Sequence, residues 1–367
     1  MKPKNKIVVV LGTRPEIIKT SALLRILRSG KTPYRLIHTG QHYSYSMDRL
    51  FFKQLGLPNP QYQLDQRSKP QESRRHYVAR MSRAIQSILA REAPCTVLVQ
   101  GDTNSVLAGA LASRRVTGVR LGHIEAGLRS YDLSMPEELN RIETDRISDW
   151  LFAPTLGAKK ILFGEGLAAS KIFITGNTIV DAVLQALPIA KKKIKLSRWG
   201  VSSGRYFLLT LHRQENVDFK PRLASILKGV DIAARRWGKP VLFPVHPRTA
   251  ARLKQFGLVL PECVRPVEPV GFLEFLRLEA SAALVLTDSG GVQEEACILK
   301  VPCVTLRTST ERPETVAAGG NVIAGYRASS ILAAAKKMMR RKRSWKNPFG
   351  DGRSSRRILK IIEEGRA

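Results

Sequence analysis

The stretch LTDSGGVQEEACILKVPCVTLRTSTERPE, residues 286–314, carries the side chains best suited to holding a nucleotide diphosphate. It reads as a buried strand, a Ser289-Gly290-Gly291 turn, a helix opening on Gln293-Glu294-Glu295, a second strand, and a loop with Arg307, Glu311 and Arg312. A helix N-terminus presents free backbone N–H groups and a positive dipole end, and both attract phosphate. Gly290 and Gly291 lack a Cβ, so a diphosphate can approach their backbone closely. Glu295, about one turn into the helix, is placed to accept both hydroxyls of a ribose. A bare Ser-Gly-Gly also suits an ordinary βαβ connection; the dense polar sequence on both sides of it favours the ligand site.

A second group of residues could move protons. Asp102 lies in QGDTNS, Glu125 in HIEAGLRS beside Arg129, and Glu137 and Glu138 in MPEELNR. Singly, Asp102 suits a helix N-cap and Glu137 suits a dipole partner at a helix start. On neighbouring strand-end loops they would converge on one cleft, where crowding pushes carboxylate pKa values apart as acid/base work requires. Arg14 and Lys19 of GTRPEIIK could point at an anionic ligand, although Lys19 also suits a surface ion pair with Glu16. His212 of HRQEN and His246 of HPRT follow strands in the second half; His246 suits contact with a base or phosphate, or a purely structural place. The chain has no GxGxxG and no GxxxxGK[ST], and its histidines lack metal-ligand spacing such as HExxH, so no metal is expected.

These motifs need a scaffold that delivers them from strand ends. Strand candidates alternate with helix-length segments at Ile7–Leu11, Tyr34–His38, Thr96–Val99, Val119–His123, Trp150–Ala153 and Ile172–Thr175. The alternation restarts after a charged linker candidate at 190–205, with Tyr206–Leu211, Val241–Val245, Val264–Pro266, Ala283–Leu286, Cys303–Leu306 and Val322–Ala324. That pattern predicts an α/β protein of consecutive parallel-sheet domains with a cleft between them. Ligands of open α/β sheets sit beyond the carboxyl ends of the strands, where GTR, TGQH, QGDT, IEAGLR, GNT, HRQEN, HPRT and DSGG all fall.

At 367 residues the chain is long enough for two or three cores. No apolar run reaches the roughly 20 residues that span a bilayer, and the apolar start flows into a turn, so a first strand is expected rather than a signal peptide. Cys95, Cys263, Cys297 and Cys303 show no CxxC spacing, as expected of reduced thiols in the cytoplasm. The formal charge of +31 raises the question of nucleic acid, but the cations are scattered and no nucleic-acid motif accompanies the densest cluster near 336–357. A solvated basic surface with a weak attraction to anionic membrane is the expectation.

Taken in order, GTRPEIIK, TGQH, QGDTN, HIEAGLRS, PEELNR, FITGNTIVDA, HRQENVD, FPVHPRT, LTDSGGVQEEA and TERPET resemble the non-hydrolysing UDP-N-acetylglucosamine 2-epimerases over nearly the whole chain. The resemblance implies two Rossmann-like domains facing a cleft, similar to GT-B glycosyltransferases, with a C-terminal helix returning to the first domain. The boundaries expected are 1–180, 181–350 and 351–367. It also implies a cytoplasmic homodimer that needs no nicotinamide or other cofactor, and 2-epimerisation of UDP-N-acetylglucosamine for surface polysaccharide. UDP is expelled from C1 as a base takes the C2 proton, giving 2-acetamidoglucal; UDP then adds back as a proton reaches the opposite face. By resemblance Asp102, Glu125 and Glu137 are the acid/base candidates, and His212 with Arg14, Lys19, Arg141 and Arg312 meets the leaving diphosphate. Ser289, Gly290, Gly291 and Glu295 hold phosphate and ribose, with His246 near the nucleotide.

In bacterial relatives a second substrate molecule binds allosterically, which makes Gln41 and His42 allosteric candidates. The sequence departs from the family there, reading LDQRSKPQESRRHY where a Gly-Ser-rich turn is usual, and it also departs at Thr308-Ser309. Four other readings stay open: a 2-epimerase of a related sugar such as UDP-2,3-diacetamido-glucuronic acid, a hydrolysing epimerase, a GT-B glycosyltransferase, and a basic polynucleotide-binding scaffold without turnover. A transferase would give no reason for the acidic set Asp102, Glu125 and Glu137.

Overall fold

The computed structural model describes residues 6–41, 51–69 and 71–365. The chain divides into two compact units, the first running to Leu184 and resuming at Phe349, the second spanning Gln185–Pro348.

The first unit holds a parallel sheet of β1 (Lys6–Leu11), β2 (Tyr34–His38), β3 (Tyr62–Gln63), β4 (Cys95–Gln100), β5 (Val119–Ile124), β6 (Trp150–Ala153) and β7 (Ile172–Ile174). Their order is β3-β2-β1-β4-β5-β6-β7. Val8 and Val10 of β1 and Val97 and Val99 of β4 are buried against helix residues such as Met81, Ile85 and Val106. This two-sided burial gives the near-continuous apolar runs of the sequence. The two-residue β3, with no apolar run of its own, is absent from the expected strand set.

The second unit holds β8 (Phe207–Thr210), β9 (Val241–Pro244), β10 (Val264–Val267), β11 (Leu284–Thr287), β12 (Cys303–Thr305) and β13 (Asn321–Ile323), in the parallel order β10-β9-β8-β11-β12-β13. In both sheets the order reverses at one place, between β1 and β4 and between β8 and β11. Loops leaving the carboxyl ends of the strands there diverge to opposite faces and leave a crevice for a ligand.

Two expectations change. The stretch 190–205 is not a free linker: the helix Thr178–Lys193 runs through the division at Leu184, and a 3₁₀ turn Leu196–Trp199 follows. Lys191, Lys192 and Lys193 fill that helix's last turn, where cations suit the dipole. The GNT motif is the other change. Asn177 N donates to Phe349 O at 2.8 Å, and a Cβ on Gly176 would stand 2.7 Å from Ser354 Oγ. The Asp181 carboxylate accepts from the backbone amides of Ser354 and Ser355 at 3.1 and 2.9 Å, capping the helix Ser354–Glu363 from outside. This motif therefore receives the chain's own returning segment. Ile358, Leu359 and Ile362 of that last helix are buried in the first unit, where it packs against the helix Arg14–Ser29. All four cysteines are free thiols.

Candidate active site

In the first unit, the turns after β1, β4 and β5 meet at the switch point. Gly12 follows β1, and a Cβ there would lie 2.0 Å from Thr39 Oγ1 and 2.2 Å from Ser105 Oγ, so only glycine fits. Glu16, buried one turn into the helix Arg14–Ser29, accepts from the backbone amides of Gly12 and Thr13 and from the Thr103 hydroxyl. The Thr13 hydroxyl takes no hydrogen bond among the described residues, so the Glu half of the T-x-x-E box does the capping. Glu16 thereby ties the turn carrying Arg14 to the turn carrying Asp102. Burial pushes its carboxyl up to about 7, against the donors from Thr103, Gly12 and Thr13.

Glu125 sits just past β5 with φ +73°, a left-handed conformation costly for a side chain of this size. Its amide and that of Ala126 both donate to Phe152 O, at 3.1 and 3.3 Å, and hold the turn. Its buried carboxylate accepts from Lys19 Nζ at both oxygens, 2.7 Å each, and from Gln100 Nε2. Lys19 is thus paired with Glu125 and not with Glu16. Asp102, about a third exposed at its side chain, accepts from Arg141 Nε at 3.0 Å, and Arg141 Nη2 lies 2.9 Å away. Thr103, and not Asp102, caps the helix Asn104–Ser113. Arg141 also binds Glu138, which takes the amides of Ser130 and Tyr131 at 2.9 and 3.0 Å. In the helix Pro136–Ile147, Glu138 is buried in this network while Glu137 is exposed at the same first turn. Arg129 pairs with Asp145, which also binds His123; that buried cluster braces β5. Gln41 Oε1 accepts from Ser105 N and Oγ at 2.9 and 2.7 Å, and His42 lies outside the described residues.

In the second unit, the helix Gly290–Leu299 begins directly after Ser289, so Gly290 and Gly291 lie in its first turn and not in a separate turn ahead of a helix opening at Gln293. The nearest protein atom to a Cβ on Gly290 would be Glu311 Oε2 at 3.6 Å, and a Cβ on Gly291 would meet nothing within 4 Å. Neither glycine is needed for packing, and neither has positive φ. What they provide is bare backbone at a helix start. Asp288, fully buried, accepts from the amides of His212 and Arg213 at 3.1 and 3.0 Å, from Asn216 Nδ2 at 3.2 Å, and from His212 Nδ1 at 3.1 Å. Burial pushes its carboxyl up, but the His212 ring and the amide donors outweigh that and hold it below its ordinary range.

His246 lies beside His212, ring centres 5.7 Å apart and planes tilted by 42°, and its Nδ1 accepts from Arg248 N at 3.2 Å to cap the helix Pro247–Phe256. Burial, then the neighbouring His212, lowers its pKa. Arg312 Nε lies 2.7 Å from Glu294 Oε1, and Glu311 binds Arg307 at 2.9 and 3.0 Å. Sequence reasoning missed Gln100, Glu138 and Asp288 as partners of the candidate groups. Arg213, next to His212 in HRQEN, has its Nε buried without a hydrogen-bond partner among the described residues.

A family model described as UDP-N-acetylglucosamine 2-epimerase matches residues 25–363. The UDP-N-acetylglucosamine 2-epimerase of Methanocaldococcus jannaschii is 50% identical, across 98% of this chain and 100% of that protein. Its crystal structure in complex with UDP-GlcNAc and UDP superposes with a TM-score of 0.88, over 98% of this chain and 100% of that one. The UDP-2,3-diacetamido-2,3-dideoxy-D-glucuronate 2-epimerase of Pseudomonas aeruginosa is 40% identical, across 97% of this chain and 99% of that protein.

Proposed function

As this chain belongs to the UDP-N-acetylglucosamine 2-epimerase family, we propose that it interconverts UDP-N-acetylglucosamine and UDP-N-acetylmannosamine by eliminating and re-adding UDP. The C2 proton beside an acetamido group is too weakly acidic for simple removal and return. Expulsion of UDP solves this: a carboxylate takes the proton from C2, the C–H electrons form the C1–C2 double bond, and the C1–O pair leaves on the diphosphate. Re-addition with protonation from the other face inverts C2. The chemistry therefore needs carboxylates for C2 and cations for the departing charge.

Glu125, Asp102 and Glu137 are the acid/base groups of this reading, with Lys19 and Arg141 fixing the first two. The observation that carries it is the Lys19–Glu125 pair beside Asp102–Arg141 at the switch point of the first sheet. A site that only binds a nucleotide has no use for two oriented carboxylates. UDP takes the bare helix start at Ser289-Gly290-Gly291 with its ribose on Glu295. His212, Arg14 and Arg312 meet the leaving diphosphate, and His246 lies near the nucleotide. The enzyme acts as a cytoplasmic homodimer, testable by light scattering. Its basic surface gives a weak, salt-sensitive attraction to anionic vesicles.

Incubation with UDP-N-acetylglucosamine in D₂O, followed by NMR, tests the reaction. UDP-N-acetylmannosamine carrying deuterium at C2 is the expected product. Free N-acetylmannosamine would instead mean hydrolysis of the intermediate. Inertness with this sugar and turnover of the diacetamido-glucuronate analogue would move the substrate to that of the Pseudomonas relative.

A further inference from the structure

Glu279 is an acid with no cation paired to it among the described residues. It sits on the helix Phe272–Ser281 with 0% of its surface exposed, and neither carboxyl oxygen receives a hydrogen-bond donor among the described residues. The group it touches is another carboxyl, Glu295 on the helix Gly290–Leu299, within hydrogen-bond range. The other titratable groups facing it are the buried Cys303 thiol and the Tyr206 phenol, whose hydroxyl donates to Leu278 O. Arg277 on the same helix is turned to Ser281 Oγ, at 2.8 Å, and Ile194 O, at 3.4 Å.

Two carboxyls in contact share one proton, because two anions at that range repel and two acceptors cannot bond. Burial decides who keeps it. Desolvation, and then the neighbouring Glu295 charge, push the Glu279 carboxyl well above the ordinary range. Glu295 is partly exposed, so its charge retains solvent. The arrangement is a neutral acid donating O–H to a carboxylate, one of the stronger hydrogen bonds available to side chains.

We propose that Glu279 is a positioning residue for nucleotide recognition: its O–H bonds Glu295 from behind and fixes that carboxylate to accept the ribose hydroxyls of a uridine diphosphate. This rests on the UDP site of the preceding section. A carboxylate on a flexible stem loses side-chain freedom when it binds a ribose, and a bond at its back removes that cost beforehand.

The test uses UDP and 2′-deoxy-UDP as calorimetric probes against the full-length enzyme and two variants, with KM and kcat measured alongside. The wild type binds UDP more tightly than the deoxy form. Glu279→Met fills the same apolar space without a donor, and is expected to weaken UDP about tenfold, raise KM and leave kcat nearly unchanged. Its affinity for 2′-deoxy-UDP should fall less, because that nucleotide offers Glu295 one hydroxyl instead of two, whereas a general loss of packing would weaken both nucleotides equally. Glu279→Gln restores an N–H donor and should return UDP affinity to within about threefold of wild type.

In a Glu295→Gln background, Glu279→Met should add little. An unchanged UDP preference in Glu279→Met, or equal losses for both nucleotides, overturns the proposal. Should Glu279→Met fail to fold, Glu279→Gln decides: UDP affinity lost well beyond threefold overturns it. A wild type that binds UDP without regard to the 2′-hydroxyl removes Glu295 and this inference while the UDP site stands. A wild type that ignores UDP overturns the functional reading itself.

Discussion

Lys19 Nζ stands 2.7 Å from both carboxylate oxygens of Glu125, joining the first helix of the chain to the turn after β5. The pair is nearly closed to solvent, with side-chain exposures of 13% and 4%. Glu125 is held there in a left-handed backbone conformation, so position and orientation are fixed at a cost in local energy. Such a residue serves geometry before stability.

Glu125→Gln is therefore expected to keep the fold and lose on the order of a hundredfold or more in epimerisation rate, as is Asp102→Asn. Proton exchange at C2 in D₂O is the direct readout. Near-normal exchange in either variant would remove that residue from the acid/base set.

Asp288 holds His212 by its backbone amide and by its ring, at 3.1 Å each. Asp288→Asn turns an N–H₂ group towards donors that need an acceptor. The expected cost is about 1–3 kcal/mol of stability and roughly tenfold in kcat. Because Asp288 would act on the reaction through His212, His212→Ala should cost less in the Asp288→Asn background than alone. Fully additive losses would mean that Asp288 only braces β8 against β11.

How much of this could be read from the chain depends on where each residue's partner lies. Ile7–Leu11 is visible because a strand buried on both faces is a continuous apolar run. From the chain alone Glu16 is read only as a possible partner of Lys19, although its place as the fourth residue of T-x-x-E is the signal for its capping role. By contrast, GNT looks like any polar strand-end loop, and only its distant partner Phe349 marks it as a docking place for the returning chain. Glu137 and Glu138 differ by about 100° of helix rotation, and that phase set which one is buried with Arg141. Glu279, within FLEFLRLEAS, reads as the polar side of an amphipathic helix; its burial comes from the neighbouring helix that carries Glu295.

Gly291 separates ligand binding from stability. A Cβ there meets nothing within 4 Å, and alanine is the better helix former by roughly 1 kcal/mol. Gly291→Ala is expected to melt at the same temperature as wild type or slightly higher, yet to bind UDP at least tenfold more weakly as the methyl meets the diphosphate. Calorimetric titration with UDP checks this beside a thermal melt. Unchanged affinity would show that the diphosphate does not approach this helix start.

Glu16 makes stability depend on pH in a direction opposite to that of a salt-bridged carboxylate. Its folded-state pKa of about 7 lies above the ordinary 4.5, so the folded protein holds this proton where the unfolded chain has released it. The contribution is complete below about pH 4.5, falls as pH rises through the folded value, and is gone above it, amounting at most to on the order of 3 kcal/mol. Glu16→Gln mimics the protonated acid: its carbonyl can accept from Gly12 and Thr13, and its amide can donate to the Thr103 hydroxyl. Urea unfolding at pH 5 and pH 8 should show the wild type losing stability relative to Glu16→Gln at the higher pH. Parallel pH profiles for the two proteins would mean that Glu16 is ionised throughout this range. The same ionisation would load charge beside Asp102, so the wild-type rate should respond to pH near 7 in a way that Glu16→Gln does not.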